Sequence, residues 1–264
     1  MRVNAVKREL AAGQPSVGTW LSLASIPIAR FLSRVGFKWL TVDIEHSLVG
    51  WETATHIFGS IADAGCTPLA RVPSNRHDHI KRALDNGAHG IVVPMVNSRE
   101  EALAAVAAAK YPPRGNRSVG GNLHVLNFDT TANDYFAHAD EETLVVLQCE
   151  HINAVEAADT IFSVPGIDVI FVGPNDLAAS MRSKDGKPPS ADATAKVMRH
   201  ILETCRKHHV APGLHCATAD EACRRIEEGW KFVAVGSELR MLLDGAHEVV
   251  RRCGGPAHGE LAKY

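Results

Sequence analysis

Eight short apolar runs punctuate the chain, at 16–21, 39–42, 67–72, 90–93, 144–148, 168–172, 211–214 and 232–235. Within each, apolar residues follow one another rather than alternating with polar ones. That pattern predicts strands covered on both faces, as in a parallel sheet. Segments with helical spacing lie between them. Pro27 marks one helix start, with Ile28, Phe31, Leu32 and Val35 at core spacing before Gly36 ends it. Ser98 and Glu101 form a capping box ahead of 102–110, and Thr218 and Glu221 form another ahead of 222–228. Gly36, Gly65, Gly87 and Gly229 each stand between a helix and the next strand, where a left-handed cap belongs.

Two stretches resemble each other. Gly36-Phe-Lys-Trp-Leu-Thr-Val matches Gly229-Trp-Lys-Phe-Val-Ala-Val, and both read as a helix cap followed by a strand of one barrel. Eight strand–helix units in 264 residues average 264/8 = 33 residues each, which suits an α/β fold of the (β/α)8 TIM-barrel type. A doubly wound open sheet is the alternative, but no Gly-x-Gly-x-x-Gly follows the first run. The expected organisation is one barrel domain over 1–253 and a flexible tail over 254–264. The connection 111–143 is long and carries Pro112, Pro113, Gly120, Gly121, Phe128, Tyr135 and Phe136. A connection of that length is expected to serve as a lid or a subunit contact.

Composition narrows the function. Hydrophobic residues are 45% and charged residues 22%, enough for a large core and against extensive disorder. Lys+Arg minus Asp+Glu is 28 − 30 = −2 with no basic block, which disfavours nucleic acid as a partner. No apolar run approaches the ~18–20 residues of a membrane helix, so no membrane association is expected. The first ten residues lack the apolar region of a secretory leader. The six cysteines form no Cys-x-x-Cys, which predicts reduced thiols and a cytoplasmic protein rather than a disulfide framework or zinc ribbon.

In a barrel of this kind chemistry sits where the strands end. The residues just past the runs are Trp20, then Asp43 to His46, Arg71, Pro94, Glu150, Asp176, His215 and Ser237. Glu150 and Asp176 on neighbouring strand ends suit a hard divalent cation, the alternative being that each caps a helix or pairs with an arginine. Gly173 would let a ligand approach closely, and the helix start after it has free N–H groups for a carboxylate. Arg71 could meet a carboxylate or an enolate oxygen, or form a structural ion pair. His46 lies three residues after Asp43. An acid that orients the imidazole would make it a general base, whereas a plain loop histidine would only hydrogen-bond. His77, His79, His208 and His209 fall on helix faces and read as solvated. His215, just past the seventh run, is the exception. Lys38 and Lys231 stand at strand starts, and Lys81, Lys110, Lys196 and Lys207 in helical segments. No Schiff-base lysine is therefore expected, and an enolate would need a metal. The absence of a Walker loop argues against a nucleotide cofactor, and Gly-x-Ser-x-Gly and His-Glu-x-x-His are absent too.

Taken in order, several motifs resemble the metal-dependent class II pyruvate aldolases of the HpcH/HpaI family. They are Thr-Val-Asp43-Ile-Glu-His46, Pro68-Leu-Ala-Arg71-Val-Pro, Ile91-Val-Val-Pro-Met-Val96 and Tyr111-Pro-Pro-Arg-Gly-Asn-Arg117. Gln148-Cys-Glu150, Pro165-Gly-Ile-Asp168, Val172-Gly-Pro-Asn-Asp176-Leu-Ala-Ala-Ser180 and Phe232-Val-Ala-Val-Gly236 complete the set. The resemblance spans about residues 18–243. It implies a barrel of the phosphoenolpyruvate/pyruvate type with its last helix domain-swapped, assembled as a homo-oligomer, a trimer of dimers. It implies Mg²⁺, Mn²⁺ or Co²⁺ on Glu150 and Asp176, with Gln148 in support and the Asn175 backbone at the substrate carboxylate. Arg71 would stabilise the enolate and His46 would act as base. Asp85, from the same or a neighbouring subunit, would raise the basicity of that histidine, with Asp43 adding to it. Trp20 would line the pocket.

The implied reaction is reversible aldol cleavage of a 4-hydroxy-2-oxo acid to pyruvate and an aldehyde through a metal-bound pyruvate enolate. Two alternatives stand beside it. One is an oxaloacetate decarboxylase or a macrophomate-synthase-like enzyme using the same enolate, and the other is a non-catalytic binding barrel. The chain departs from the family pattern at His151, Asn175, His215 and Glu238, around the aldehyde side rather than the metal. His215 could there touch a polar or anionic acceptor, or simply pack.

Overall fold

The uninterrupted apolar runs become eight parallel strands, because a strand covered on both faces has no polar side to turn toward water. The computed structural model describes residues 1–255. Its strands are β1 (Ser16–Leu21), β2 (Trp39–Asp43), β3 (Thr67–Arg71), β4 (Gly90–Val93), β5 (Leu144–Gln148), β6 (Val169–Val172), β7 (Ala211–Cys216) and β8 (Phe232–Ser237). They pair in chain order, and β8 returns to β1 to close the barrel. β7 and β8 each run two residues beyond the predicted end, pairing His215 with Ala234 and Cys216 with Val235.

Trp39, Leu69, Val92, Val146, Phe171 and Phe232 fill the barrel interior, and Val6 and Leu10 of the helix Ala5–Ala11 join that cluster. The internal resemblance acquires a meaning here. Trp39 and Phe232 occupy matching places in the two similar stretches, and their rings stack at 4.0 Å and 5°. Gly18 on the strand between them leaves the room, since a Cβ there would lie 2.2 Å from the Trp39 ring.

The helix boundaries follow their local chemistry. The Ser98–Glu101 capping box opens the helix Arg99–Ala109, and Thr218 caps Ala219–Glu228. Gly36, Gly65, Gly87 and Gly229 all have positive φ, as expected of left-handed caps. The expected stripe at 28, 31, 32 and 35 is displaced. The helix Ile26–Leu32 turns Ile26, Ala29 and Leu32 toward the core, while Phe31 and Val35 are 77% and 66% exposed. Ser33 ends the helix one turn early, so Val35 leaves the helical face.

The 111–143 connection is not structureless. It contains the helices Leu123–Asn127 and Ala132–Glu142, and Tyr111, Phe128, Tyr135 and Ala139 form a small core of its own. Arg117 is buried against the rings of Tyr111 and Tyr135. The segment is tied to the side where strands start, through Asn127 Nδ2 to the Gly87 carbonyl (2.8 Å) and the Asn4 N–H to Glu142 (2.7 Å). Within one chain it therefore covers the floor and is not a lid over the mouth.

The last helix, Glu238–Arg252, buries only Glu238 and leaves Met241, Leu242, Val249 and Val250 exposed. Among the described residues no helix is long and apolar enough to cross a membrane. Most of the expected flexible tail, 256–264, lies outside the described residues.

Candidate active site

The strand ends open onto a cavity of about 720 Å³. Its wall includes Trp20, Asp43, Glu45, His46, Arg71, Gln148, Glu150, Gly173, Asn175, Asp176 and His215. Ten of the eleven residues singled out in the sequence thus share one pocket. Asp85 does not. It ends the helix His77–Asp85, near the strand starts, and its carboxylate accepts from Arg117 Nη2 at 2.6 Å. Within one chain it does not meet His46.

Asp43 and Arg71 close β2 and β3 as registered partners. The carboxylate accepts from Arg71 Nε at 2.9 Å and Nη2 at 2.6 Å. Its Oδ1 also accepts the backbone N–H groups of Glu45 (3.0 Å) and His46 (3.1 Å). Asp43 thus orients the guanidinium and the backbone of the following loop, not the imidazole ring as expected. Among the described residues Glu45 stands beside that ring, with Oε1 3.7 Å from His46 Nε2. The His46 side chain is exposed at the cavity rim. Arg71 also lies over the Trp20 ring, 4.8 Å from its centroid, and 3.4 Å from Glu45 Oε2.

Glu150 is buried and fully engaged. Oε1 accepts the Met95 N–H at 2.8 Å and Oε2 accepts from Gln148 Nε2 at 2.7 Å. Met95 adopts φ +53°, a conformation unusual for a side chain-bearing residue, just where its N–H meets that carboxylate. Burial pushes the Glu150 carboxyl up to about 7, the Met95 hydrogen bond opposes this, and the charges of Asp176 and Glu45 add to it. Burial also raises Glu45 to about 7, with Arg71 opposing and Asp43 and Asp176 adding. Carboxylates crowded together in this way concentrate negative potential in a dry site.

The residues present fit a hard divalent cation. Gln148 Oε1 is a buried oxygen with no hydrogen-bond partner among the described residues. Together with Glu150 and Asp176 it makes an all-oxygen donor set. Among the described residues no three His, Cys, Asp or Glu side chains come together; a hard cation takes about six oxygens, so two carboxylates and one amide oxygen would leave positions for substrate and water. Gly173 gives the space, because a Cβ there would lie 2.6 Å from Glu150 Oε2. It precedes the helix Pro174–Ser180, whose first turn carries Asn175 and Asp176 at the cavity.

On β7, beside the strand that leads into Gly173, His215 Nε2 lies 3.0 Å from the Gly236 carbonyl. Burial holds its pKa below the usual histidine range. Glu238, one of the departures, accepts the N–H groups of Ser22 and Leu23 and so fastens the loop after β1 to the last helix. His208, read as solvated, pairs with Asp159 at 2.7 Å on the outer surface.

Sequence reasoning passed over five contributors. Glu45 stood inside the quoted Asp43–His46 motif and could have been selected as a third acid. Met95 acts through its backbone, for which side-chain identity gives no signal. Arg240, Asp244 and His247 reach the cavity because the last helix rises beside the mouth, which only coordinates reveal.

A family model described as HpcH/HpaI aldolase/citrate lyase matches residues 16–245. A 4-hydroxy-2-oxo-heptane-1,7-dioate aldolase from Salmonella dublin is 37% identical over 251 residues, covering 95% of each chain. An HpcH/HpaI aldolase/citrate lyase family protein from Burkholderia cenocepacia J2315 superposes with a TM-score of 0.88 at 29% identity, covering 96% of this chain and 100% of that one. An HpcH/HpaI aldolase from Desulfitobacterium hafniense DCB-2 gives 0.85 at 27% identity, covering 97% and 98%.

Proposed function

The chain belongs to the HpcH/HpaI aldolase/citrate lyase family, and from that premise we propose how its cavity works as the site of a metal-dependent pyruvate aldolase. The enzyme is a carbon–carbon lyase that cleaves a 4-hydroxy-2-oxo acid reversibly to pyruvate and an aldehyde. The observation that carries the site assignment is buried Glu150, its proton affinity raised by burial and by the charge of Asp176, in a pocket faced by Arg71.

A divalent cation held by Glu150 and Asp176, whether Mg²⁺, Mn²⁺ or Co²⁺, would supply Lewis acidity at the 2-oxo group. Gln148 holds the Glu150 carboxylate in place. Arg71, positioned by Asp43, offers a fixed positive charge to the oxygen on which negative charge develops. The backbone N–H groups near Gly173 and Asn175 receive the substrate carboxylate, and Trp20 forms the wall. His46 takes the proton of the C4 hydroxyl, with Glu45 beside the ring. The C3–C4 bond then breaks, its electron pair enters the pyruvate enolate, and the aldehyde departs. A proton delivered to C3 completes pyruvate.

Oxaloacetate decarboxylation would reach the same enolate without a base at C4. The rim position of His46, outside the inner group of acids, favours it as a second reaction of this site. His46→Ala should then depress aldol cleavage at least a hundredfold while leaving most decarboxylation.

The assembly would be a homo-oligomer, a trimer of dimers, with the last helix exchanged between subunits. The exposed Leu242 and Val249 on that helix and the exposed Phe31 and Val35 elsewhere support this. Asp85 would reach His46 only from a neighbouring subunit. Six unpaired thiols suit a reducing cytoplasm.

The test is a screen of 2-oxo acids with each added metal, reading pyruvate release, with oxaloacetate in the same series. Near-normal rates from chelator-stripped protein would overturn the metal-dependent scheme.

A further inference from the structure

His215 stands where β7 outruns its apolar stretch, and it lines the cavity with no part in the pyruvate-binding set assigned above. Its Nε2 lies 3.0 Å from the Gly236 carbonyl, and a carbonyl can only accept. Nε2 therefore carries the proton. Burial disfavours a second proton, and the charge of Arg71 across the cavity does so too. The ring is then neutral, with a lone pair on Nδ1. Among the described residues Nδ1 takes no hydrogen bond, and the ring lines the cavity. A wall that offers an acceptor and no donor is built for a hydroxyl.

The charge of the cavity points the same way. Asp43, Glu45, Glu150, Asp176 and Asp244 line it against Arg71 and Arg240. Arg71 is engaged with Asp43, and Arg240 Nε donates to Asp244 at 2.8 Å. Even with one of these acids protonated, the other four balance the two arginines and a divalent cation. A second carboxylate would find no spare positive charge, whereas a neutral hydroxyl needs none.

We propose that His215 makes this enzyme selective for neutral, hydroxylated aldehydes, by accepting a hydrogen bond at Nδ1 from a hydroxyl beyond the scissile bond. The inference rests on the aldolase reading above and specifies its second substrate. It sets this chain apart from its 1,7-dioate relatives, whose named substrate has a carboxylate at both ends.

The test condenses pyruvate, in the presence of Mn²⁺, with two isosteric pairs: glycolaldehyde against propanal, and glyceraldehyde against 2-methylbutanal. 4-Oxobutanoate serves as the anionic comparison. In the wild-type protein the hydroxylated member of at least one pair should have about five- to tenfold higher kcat/KM, and 4-oxobutanoate should be the poorer acceptor. In His215→Leu that ratio should fall to near one. In His215→Gln, whose amide can both donate to Gly236 and accept from substrate, most of it should remain. Each ratio is taken within one preparation, so the folded fraction cancels. The proposal is overturned if neither pair shows the preference, if the preference survives in His215→Leu, or if 4-oxobutanoate is the best acceptor. Wild-type exchange of the pyruvate C3 protons in heavy water separates the two levels of the argument. Exchange without the preference refutes the role of His215 alone, and no exchange refutes the aldolase reading and this inference together.

Discussion

Asp43 and Arg71 are opposite numbers on β2 and β3, and both oxygens of the acid hold the guanidinium, at 2.9 and 2.6 Å. The positive charge at the mouth is thus aimed by the register of two strands rather than by a loop. Both side chains are buried, so removing one strips the other of its two-pronged partner in a dry site.

Asp43→Ala should therefore cost about 3–5 kcal/mol of stability, the usual penalty for breaking a buried pair. Urea unfolding measures it. Arg71→Ala should lower kcat/KM by about 10²–10³, and Arg71→Lys should recover little, because an ammonium cannot reproduce the two-pronged contact. A fully active Arg71→Lys enzyme would contradict the aiming role.

Gly173→Ala tests the space beside Glu150. The added Cβ would meet Glu150 Oε2 at 2.6 Å and the Glu150 Cβ at 3.2 Å. The first contact is with the movable end of a side chain, so the carboxylate should swing away while the barrel survives. Mn²⁺ affinity by calorimetry should fall at least tenfold, with an unchanged far-ultraviolet circular dichroism spectrum. Unaltered Mn²⁺ binding would place the cation elsewhere.

Cation binding should depend on pH with a defined sign. Glu150 and Glu45 are raised from 4.5 to about 7, so each favours the folded chain in its protonated form. Their contribution to stability is full below about 4.5 and is lost as pH climbs through about 7. A cation requires the ionised form and competes with that proton. Apparent Mn²⁺ affinity should thus fall about tenfold per unit below pH 7 and level off above pH 8. The thermal shift caused by Mn²⁺ should grow over the same interval, and a flat profile from pH 6 to 8 would refute the competition.

Assembly should depend on the outward apolar residues. Leu242→Asp on the last helix, and separately Phe31→Asp, should shift the particle toward smaller species in light scattering. Both side chains are exposed in the single chain, at 58% and 77%, so neither change should disturb its core. Undiminished particle mass in both variants would remove the proposed contact.

How much of this was legible beforehand follows from the range of each interaction. The eight strands, both capping motifs and the glycine caps could be read directly, because each depends on residues within about one turn or one strand of each other. Glu150, Asp176, Arg71 and His46 could be placed at one mouth once the barrel was recognised, since strand ends in a closed parallel sheet converge by geometry. The partners of those residues could not. Asp43 turned out to hold Arg71 and not the His46 ring, a choice set by the register of β2 with β3. The stripe on the helix Ile26–Leu32 slipped because Ser33 ended the helix, and several spacings were compatible with so short a pattern.

The chain by itself determined which segments are strands, which are capped helices, and which residues stand at the strand ends, since hydrophobic periodicity and local capping are properties of neighbours in sequence. Only the tertiary structure decided that Met95 gives its backbone to Glu150, that Glu45 joins the acids, and that His215 turns its protonated nitrogen to Gly236. Those facts depend on distances between groups brought together by closing the barrel, and a linear pattern carries no measure of them.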